Sequence, residues 1–250
     1  MKKKYLVVIL FILIIIFLIL FIFFTSKKTN NDVFNKSNYS QIYLYDLGNS
    51  NIELIIRDDF VVLINTGLED DRDMLLDYLD QFGIEEIDYL ILTNRNDKYI
   101  GNASYILEHF IVDYVYLNDY EYDSIDMNVL DNVLLDNYTE EIILTSNEKI
   151  VFGDLEINIY PFMKNDFKMN DKSFIINLKE GDNIIYLTYD NSKRLEEIDK
   201  CNLLVSENKL LFDIESKYYI YDGIDKIKDK DNFLERNISI YINKKEFIIE

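Results

Sequence analysis

The sequence predicts an α/β domain hung from an N-terminal membrane-spanning helix. Three observations predict it. An apolar run opens the chain, short strand-like runs rich in β-branched and aromatic residues outnumber helical ones, and the helical runs fall between groups of strands. No internal repeat is visible. Nothing after Ser40 reads as a linker long enough to divide the chain, so one domain follows the anchor.

Met1 to Lys4 carry three lysines, Tyr5 to Phe24 are twenty consecutive apolar or aromatic residues, and Lys27 and Lys28 follow. At 1.5 Å per residue such a helix is about 30 Å long, the thickness of a hydrocarbon core. Nineteen of the twenty are Leu, Ile, Val or Phe, which favours insertion by roughly 6 to 11 kcal/mol. The rival is a cleaved signal peptide, but the run is too long and Phe23-Phe24-Thr25-Ser26 offers no small-x-small cleavage site. Residues 1–28 are therefore expected to be an uncleaved anchor contacting lipid through residues 5–24. Three lysines and the amino terminus on one side, against two lysines on the other, favour a cytoplasmic N-terminus and an extracellular domain. Residues 29–40 are polar and aperiodic, a tether leading to the domain at 41–250.

Five of the 26 basic residues precede position 29 and none of the 46 acidic ones does, leaving residues 29–250 with a formal charge of −25. That field repels nucleic acid and favours a basic or neutral protein partner. The lone Cys201 excludes an intramolecular disulfide and sits in a strand-like entry to the core, as a packing residue. The lone His109 falls late in a helical run, where the helix dipole favours it, and is rejected as a catalytic base.

Strands are expected at Ile42–Tyr45, Ile52–Ile56 and Phe60–Ile64, broken by Gly48–Asn51 and by Asp58-Asp59. Met74, Leu75, Tyr78, Leu79 and Phe82 recur at helical spacing, after acidic Glu69 to Asp71 and before Gly83 as C-cap. A buried strand at Ile87–Leu92 runs into Thr93–Asn102, and a helix resumes over Ala103–Phe110. Then come a strand at Tyr114–Leu117, a helix at 125–136, and strands at Glu141–Leu144, Val151-Phe152, Leu155–Tyr160, Ser173–Leu178 and Asn183–Thr188. A short helix at Ser192–Ile198, a strand at Leu203–Val205 and a hairpin over Ile238–Ile249 end the order.

Five segments stand in the order and place of motifs of one family: Asp46-Leu47-Gly48-Asn49-Ser50-Asn51, Leu63-Ile64-Asn65-Thr66-Gly67, Ile87 to Thr93, Thr93 to Asn102, and Tyr186-Leu187-Thr188-Tyr189-Asp190. Over most of residues 42–210 the chain thereby resembles the metallo-β-lactamase superfamily, most of all the hydrolase-like domain of DNA-uptake competence proteins. The resemblance implies an αββα sandwich in which Ile87–Leu92 delivers Thr93–Asn102 to one edge, close to Asp190.

It also implies a metal site, and there the match fails. Zinc hydrolases hold their ion with neutral imidazoles and carboxylates. By position, Asn94 and Asn96 replace the first two histidines, Lys98 the aspartate and Tyr99 the third histidine, with Asp97 between them; only Asp190, the bridging carboxylate, is kept. One histidine in the whole chain cannot build such a site in any register. Oxygen ligation of Ca²⁺ or Mg²⁺ by Asn94, Asn96, Asp97 and Asp190 is opposed by the Lys98 ammonium. No catalytic residue, cofactor or metal is therefore assigned. The expectation is a catalytically silent, single-pass membrane protein acting through a partner; the alternative is a divergent hydrolase using oxygen-ligated metal or none. At the degenerate site Lys98 either pairs with Asp190, supported by the Asn94 and Asn96 amides, or points to solvent.

Alkaline carbonate should leave the chain in the membrane pellet, and protease added to intact cells should cut the domain. Release into the supernatant contradicts the anchor; full protection contradicts the orientation.

Overall fold

The structure, a computed structural model, describes residues 36–48, 50–120, 122–136, 138–161, 173–189, 200–206, 215–221 and 237–250. Among these no helix is long and apolar enough to cross a membrane; residues 5–24 lie outside them. The elements described next all belong to one contact unit, Ser37–Glu250.

β1 (Ser40–Asp46), β2 (Asn51–Arg57) and β3 (Phe60–Ile64) form an antiparallel meander, its second turn closed by Asp58 at φ 54°. A 3₁₀ turn at Glu69–Asp71 leads into helix α1 (Arg72–Gln81), which buries Leu75 and Leu79 one turn apart. Met74, expected on that face, is 42% exposed instead: the stripe is narrower than the sequence spacing suggests. Gly83, at φ 64°, ends the helix, with Gly83 N donating to Asp80 O and Ile84 N to Leu79 O.

β4 (Glu86–Ile91) pairs parallel with β3, and β5 (Ile111–Asn118) and β6 (Glu140–Leu144) extend the parallel half. Between them lie α2 (Asp97–Ile100), α3 (Ala103–His109) and α4 (Ile125–Asp136). The hairpin β13 (Asn237–Ile242) and β14 (Phe247–Ile249) adds to β1, giving an eight-stranded sheet in the order β14-β13-β1-β2-β3-β4-β5-β6.

A second sheet runs β12-β11-β10-β9-β8-β7. Its strands are β7 (Glu148–Phe152), β8 (Leu155–Tyr160), β9 (Ile175–Glu180), β10 (Asn183–Thr188), β11 (Cys201–Ser206) and β12 (Ser216–Tyr221). β7 to β10 are antiparallel; β10, β11 and β12 are parallel. Sequence reading missed β12.

Alternation along the strands divides the apolar side chains between two cores. Ile42, Val62, Ile91, Ile157, Phe174, Ile176 and Ile185 fill the space between the sheets, while Leu54, Leu63, Leu90 and Val115 pack under Leu79, Ile106 and Leu130 of the helices. β1, β2 and β3 are buried on both faces, which is why they read as nearly continuous apolar runs. Ile175, Cys201 and Leu204 are buried on the outer face of the second sheet. Helix, sheet and sheet are thus three of the four expected layers; the helix expected at 192–198 lies outside the described residues. Burial pushes the Cys201 thiol up to about 11, consistent with packing and not with a reactive thiolate.

The sheets are tied at the end where β1 begins. Glu180, 1% exposed, accepts Arg57 Nη1 at 2.9 Å on one oxygen and Ser40 Oγ at 2.6 Å on the other. Beside it Asn183 Nδ2 donates to Asn243 O (2.6 Å) and Glu246 O (2.9 Å). Removing one partner of a buried pair leaves the other charge uncompensated, so Glu180→Ala should destabilise the protein by about 3 kcal/mol in urea unfolding. That is the lower end of the range, because the Arg57 side chain is 17% exposed. A change indistinguishable from that of the surface substitution Lys149→Ala contradicts the clamp.

Candidate functional site

At the opposite end, the carboxyl ends of β3, β4, β10 and β11 meet, with the turn between β1 and β2 beside them. This is where α/β sheets place sites. The chain leaving β3 turns at Asn65, whose φ of 62° is a left-handed conformation that Asn tolerates. Asn65 N donates to Ile91 O (2.9 Å), and its Oδ1 accepts from Thr93 N (3.0 Å) and Thr93 Oγ1 (2.7 Å). Thr93 O in turn accepts from Asn118 Nδ2 (2.8 Å) and from Phe174 N (2.9 Å), the entrance of β9. Thr93, just after β4, therefore links four segments and both sheets.

The Thr93–Asn102 segment then packs backbone against backbone. A Cβ on Gly101 would lie 2.6 Å from Glu69 N and 2.8 Å from Gly67 O, so only glycine fits there. Asn102, fully buried, donates from Nδ2 to Thr66 O (2.9 Å) and Leu68 O (2.6 Å) and accepts Arg72 Nε (3.0 Å) on Oδ1.

Between these points lie the residues singled out in the sequence. Asn94 Nδ2 donates to Ser173 Oγ (2.9 Å), and its Oδ1 accepts from Tyr120 OH (2.7 Å) and Asn96 N (2.9 Å). Tyr120 OH also accepts Arg95 N (2.8 Å). Asn96 caps α2, its Oδ1 accepting Lys98 N (3.1 Å), and its Nδ2 donates to Tyr122 OH (2.9 Å). Asp97 has a buried Oδ1 that accepts no hydrogen bond. The Asp126 carboxyl is held above its ordinary range by burial, and further by the charges of Asp97 and Glu69. Tyr99 O accepts Thr66 N (2.8 Å), while its ring meets that of Tyr189 edge-on at 6.0 Å. Asp190, expected beside them, follows Tyr189 directly and lies outside the described residues.

This donor set does not fit zinc. Amides whose oxygens already accept protein hydrogen bonds, an ammonium and a phenol offer none of the imidazoles that hold that ion. Among the described residues no group of three or more His, Cys, Asp and Glu side chains is placed to hold a metal ion.

No protein-family model matches the sequence, and no curated protein matches it. Among solved structures the chain is similar to the metallo-β-lactamase fold protein YhfI from Bacillus subtilis, with 13% identity and a TM-score of 0.49 over 68% of this chain and 72% of that one. It is similar also to the Rm3 metallo-β-lactamase, with 11% identity and a TM-score of 0.48 over 68% and 76%. Zn(2+)-bound PqqB from Methylobacterium extorquens shows 14% identity and a TM-score of 0.47 over 65% and 61%.

Next to the Thr93–Asn102 segment a small cavity of about 40 Å³ opens, lined by Tyr45, Glu53, Lys98, Tyr99, Tyr189 and apolar residues that include Leu187. Glu53, 3% exposed, accepts a short hydrogen bond from Tyr189 OH. Lys98 is among the residues that line the cleft, and its expected partner Asp190 lies outside the described residues. His109 is exposed at the end of α3, its ring stacked on that of Tyr105 at 3.9 Å.

Sequence reasoning gave no site role to Glu53, Tyr120, Tyr122 or Ser173. Only Glu53 carried a signal, a lone charge inside the apolar run Ile52–Ile56. Because Asn94 Oδ1 serves two donors, Asn94→Ala should cost about 1–3 kcal/mol in urea unfolding, while Asn94→Asp, which keeps the acceptors, should cost less. Equal losses for the two variants contradict the network.

Proposed function

We propose that residues 41–250 are a metallo-β-lactamase-like domain without a zinc site, held at the cell surface by residues 5–24 and acting by binding a partner. The observation that carries this reading is the commitment of Asn94. At the position of a ligand histidine, its oxygen accepts two protein hydrogen bonds and its amide donates a third. Support comes also from the five motif-like segments, whose described parts converge on one end of the sheets. Function is read from that site and not from the fold.

A divergent hydrolase with an oxygen-ligated dication is the second reading, and it draws on one observation, the unbonded buried Oδ1 of Asp97 near the perturbed Asp126. Titration of the purified full chain in detergent separates the two. A ligand at a hundredfold over its dissociation constant, bound by the native state alone, adds about 2.7 kcal/mol, which a melting curve detects. Zn²⁺, Mg²⁺ and Ca²⁺ should each leave the melting temperature unchanged. A saturable rise with Zn²⁺ that disappears in Asp190→Ala contradicts the first reading, and a rise with Mg²⁺ or Ca²⁺ that disappears in Asp97→Ala selects the second.

A further inference from the structure

The two sheets end in four edge strands, β14 and β6 in the first and β12 and β7 in the second. An edge is a row of N–H and C=O groups that can pair with an extended chain, and proteins guard it with shortness, lysine or proline. β14 has three residues, β12 carries Lys217 and β7 carries Lys149. β6 has none of these guards: Glu140-Glu141-Ile142-Ile143-Leu144 holds neither lysine nor proline, and among the described strands only β5 pairs with it. Its side chains alternate. Ile142 and Leu144 pack between the sheets, so Glu140 shares their side, while Glu141 and Ile143 stand exposed on the other. β7 follows after residues 145–147 and ends the second sheet on the same side of the sandwich, with Glu148 on the face that carries the buried Ile150. Glu148 and Glu140 both bear on the Tyr116 hydroxyl, which burial above all, and then Tyr89, holds above its ordinary range. Among the described residues none of these three glutamates is in an ion pair, and Lys149, the one base of the two strands, is held by Glu156 at 2.9 Å. Apolar surface adjoins the charge: Leu135 at the end of α4, Tyr138 before β6 and Ile143 within it are all exposed.

We propose that β6 is a docking edge for an extended basic segment of another protein, which adds to the first sheet as a further strand. Its backbone completes the ladder, lysine or arginine side chains on one face meet Glu140 and Glu148, and the alternate face meets Glu141 and Ile143. Charge selects the occupant. A second copy fits poorly, because pairing edge to edge sets Glu140 and Glu141 against the same acids, whereas a basic strand neutralises them. The charge of −25 on residues 29–250 draws such a segment in. This rests on the reading that the domain acts by binding a partner.

The test uses the full chain in detergent at physiological ionic strength and a fluorescent peptide of alternating lysine and valine, as long as β6. Its anisotropy should rise saturably. An alternating glutamate-valine peptide, of opposite charge, and an alternating lysine-proline peptide, which lacks half of the N–H donors of a ladder, should bind roughly tenfold more weakly or worse. Glu140→Lys with Glu141→Lys should weaken binding by a similar factor, whereas the same charge change on α1, Asp77→Lys with Asp80→Lys, should alter it by less than about threefold, because exposed charges are screened beyond about 8 Å. In the wild type, which needs no variant to fold, the amides of residues 140–144 should gain hydrogen-exchange protection from the lysine-valine peptide. Equal binding of the lysine-proline peptide, an equal loss in the α1 variant, or no added protection in β6 overturns the proposal. So does full protection before peptide is added, which assigns the edge to this chain's own residues, or a dimer that Ile143→Lys dissolves, which assigns it to a second copy. The metal titrations are independent of this result: a peptide that fails to bind, with those titrations flat, overturns the β6 site alone, whereas a zinc response overturns the underlying reading.

Discussion

Buried backbone groups at the exits of β3 and β4 have to be hydrogen-bonded, because a buried N–H or C=O without a partner costs about as much as a lost bond. In this protein short polar side chains meet that demand. Asn65 Oδ1 takes the N–H and hydroxyl of Thr93, Asn118 and Phe174 take its carbonyl, and Asn102 holds the carbonyls of Thr66 and Leu68. The same requirement explains Gly101, since the segments approach so closely that a side chain would strike backbone atoms. Asn94, Tyr120 and Ser173 extend the network across the gap between the sheets. This loop cluster is organised by amides and phenols.

Among the described residues, polar ties join the sheets at both ends of the strands. The Glu180–Arg57–Ser40 clamp is charged and nearly dry at the closed end, and the Asn94–Ser173 bond with its neighbours is uncharged at the other. Between them the core is apolar.

Much of the fold was legible from periodicity. The β1–β3 meander, the helices at 72–81 and 125–136 and the strand that delivers Thr93–Asn102 follow from alternation, helical spacing and glycine punctuation. β12 went unread although Tyr218, Tyr219, Ile220 and Tyr221 carry a strand signal, and Met74 was placed in a core from which α1 turns its side chain away. That one histidine cannot build a multi-histidine site was plain from composition, but the partners of Asn94, Asn96 and Tyr99 were not. Asn94 meets Ser173 across 79 positions and Tyr189 meets Glu53 across 136, distances over which one sequence carries no pairing information.

Amide hydrogen exchange on the full chain in detergent tests most directly whether the network, and not a metal, orders this end of the fold. The amides of Thr93, Arg95 and Asn96, each bonded to a protein acceptor, should be protected, with rates unchanged by a strong chelator or by added Zn²⁺. Protection that collapses with the chelator and returns with Zn²⁺ would contradict the account.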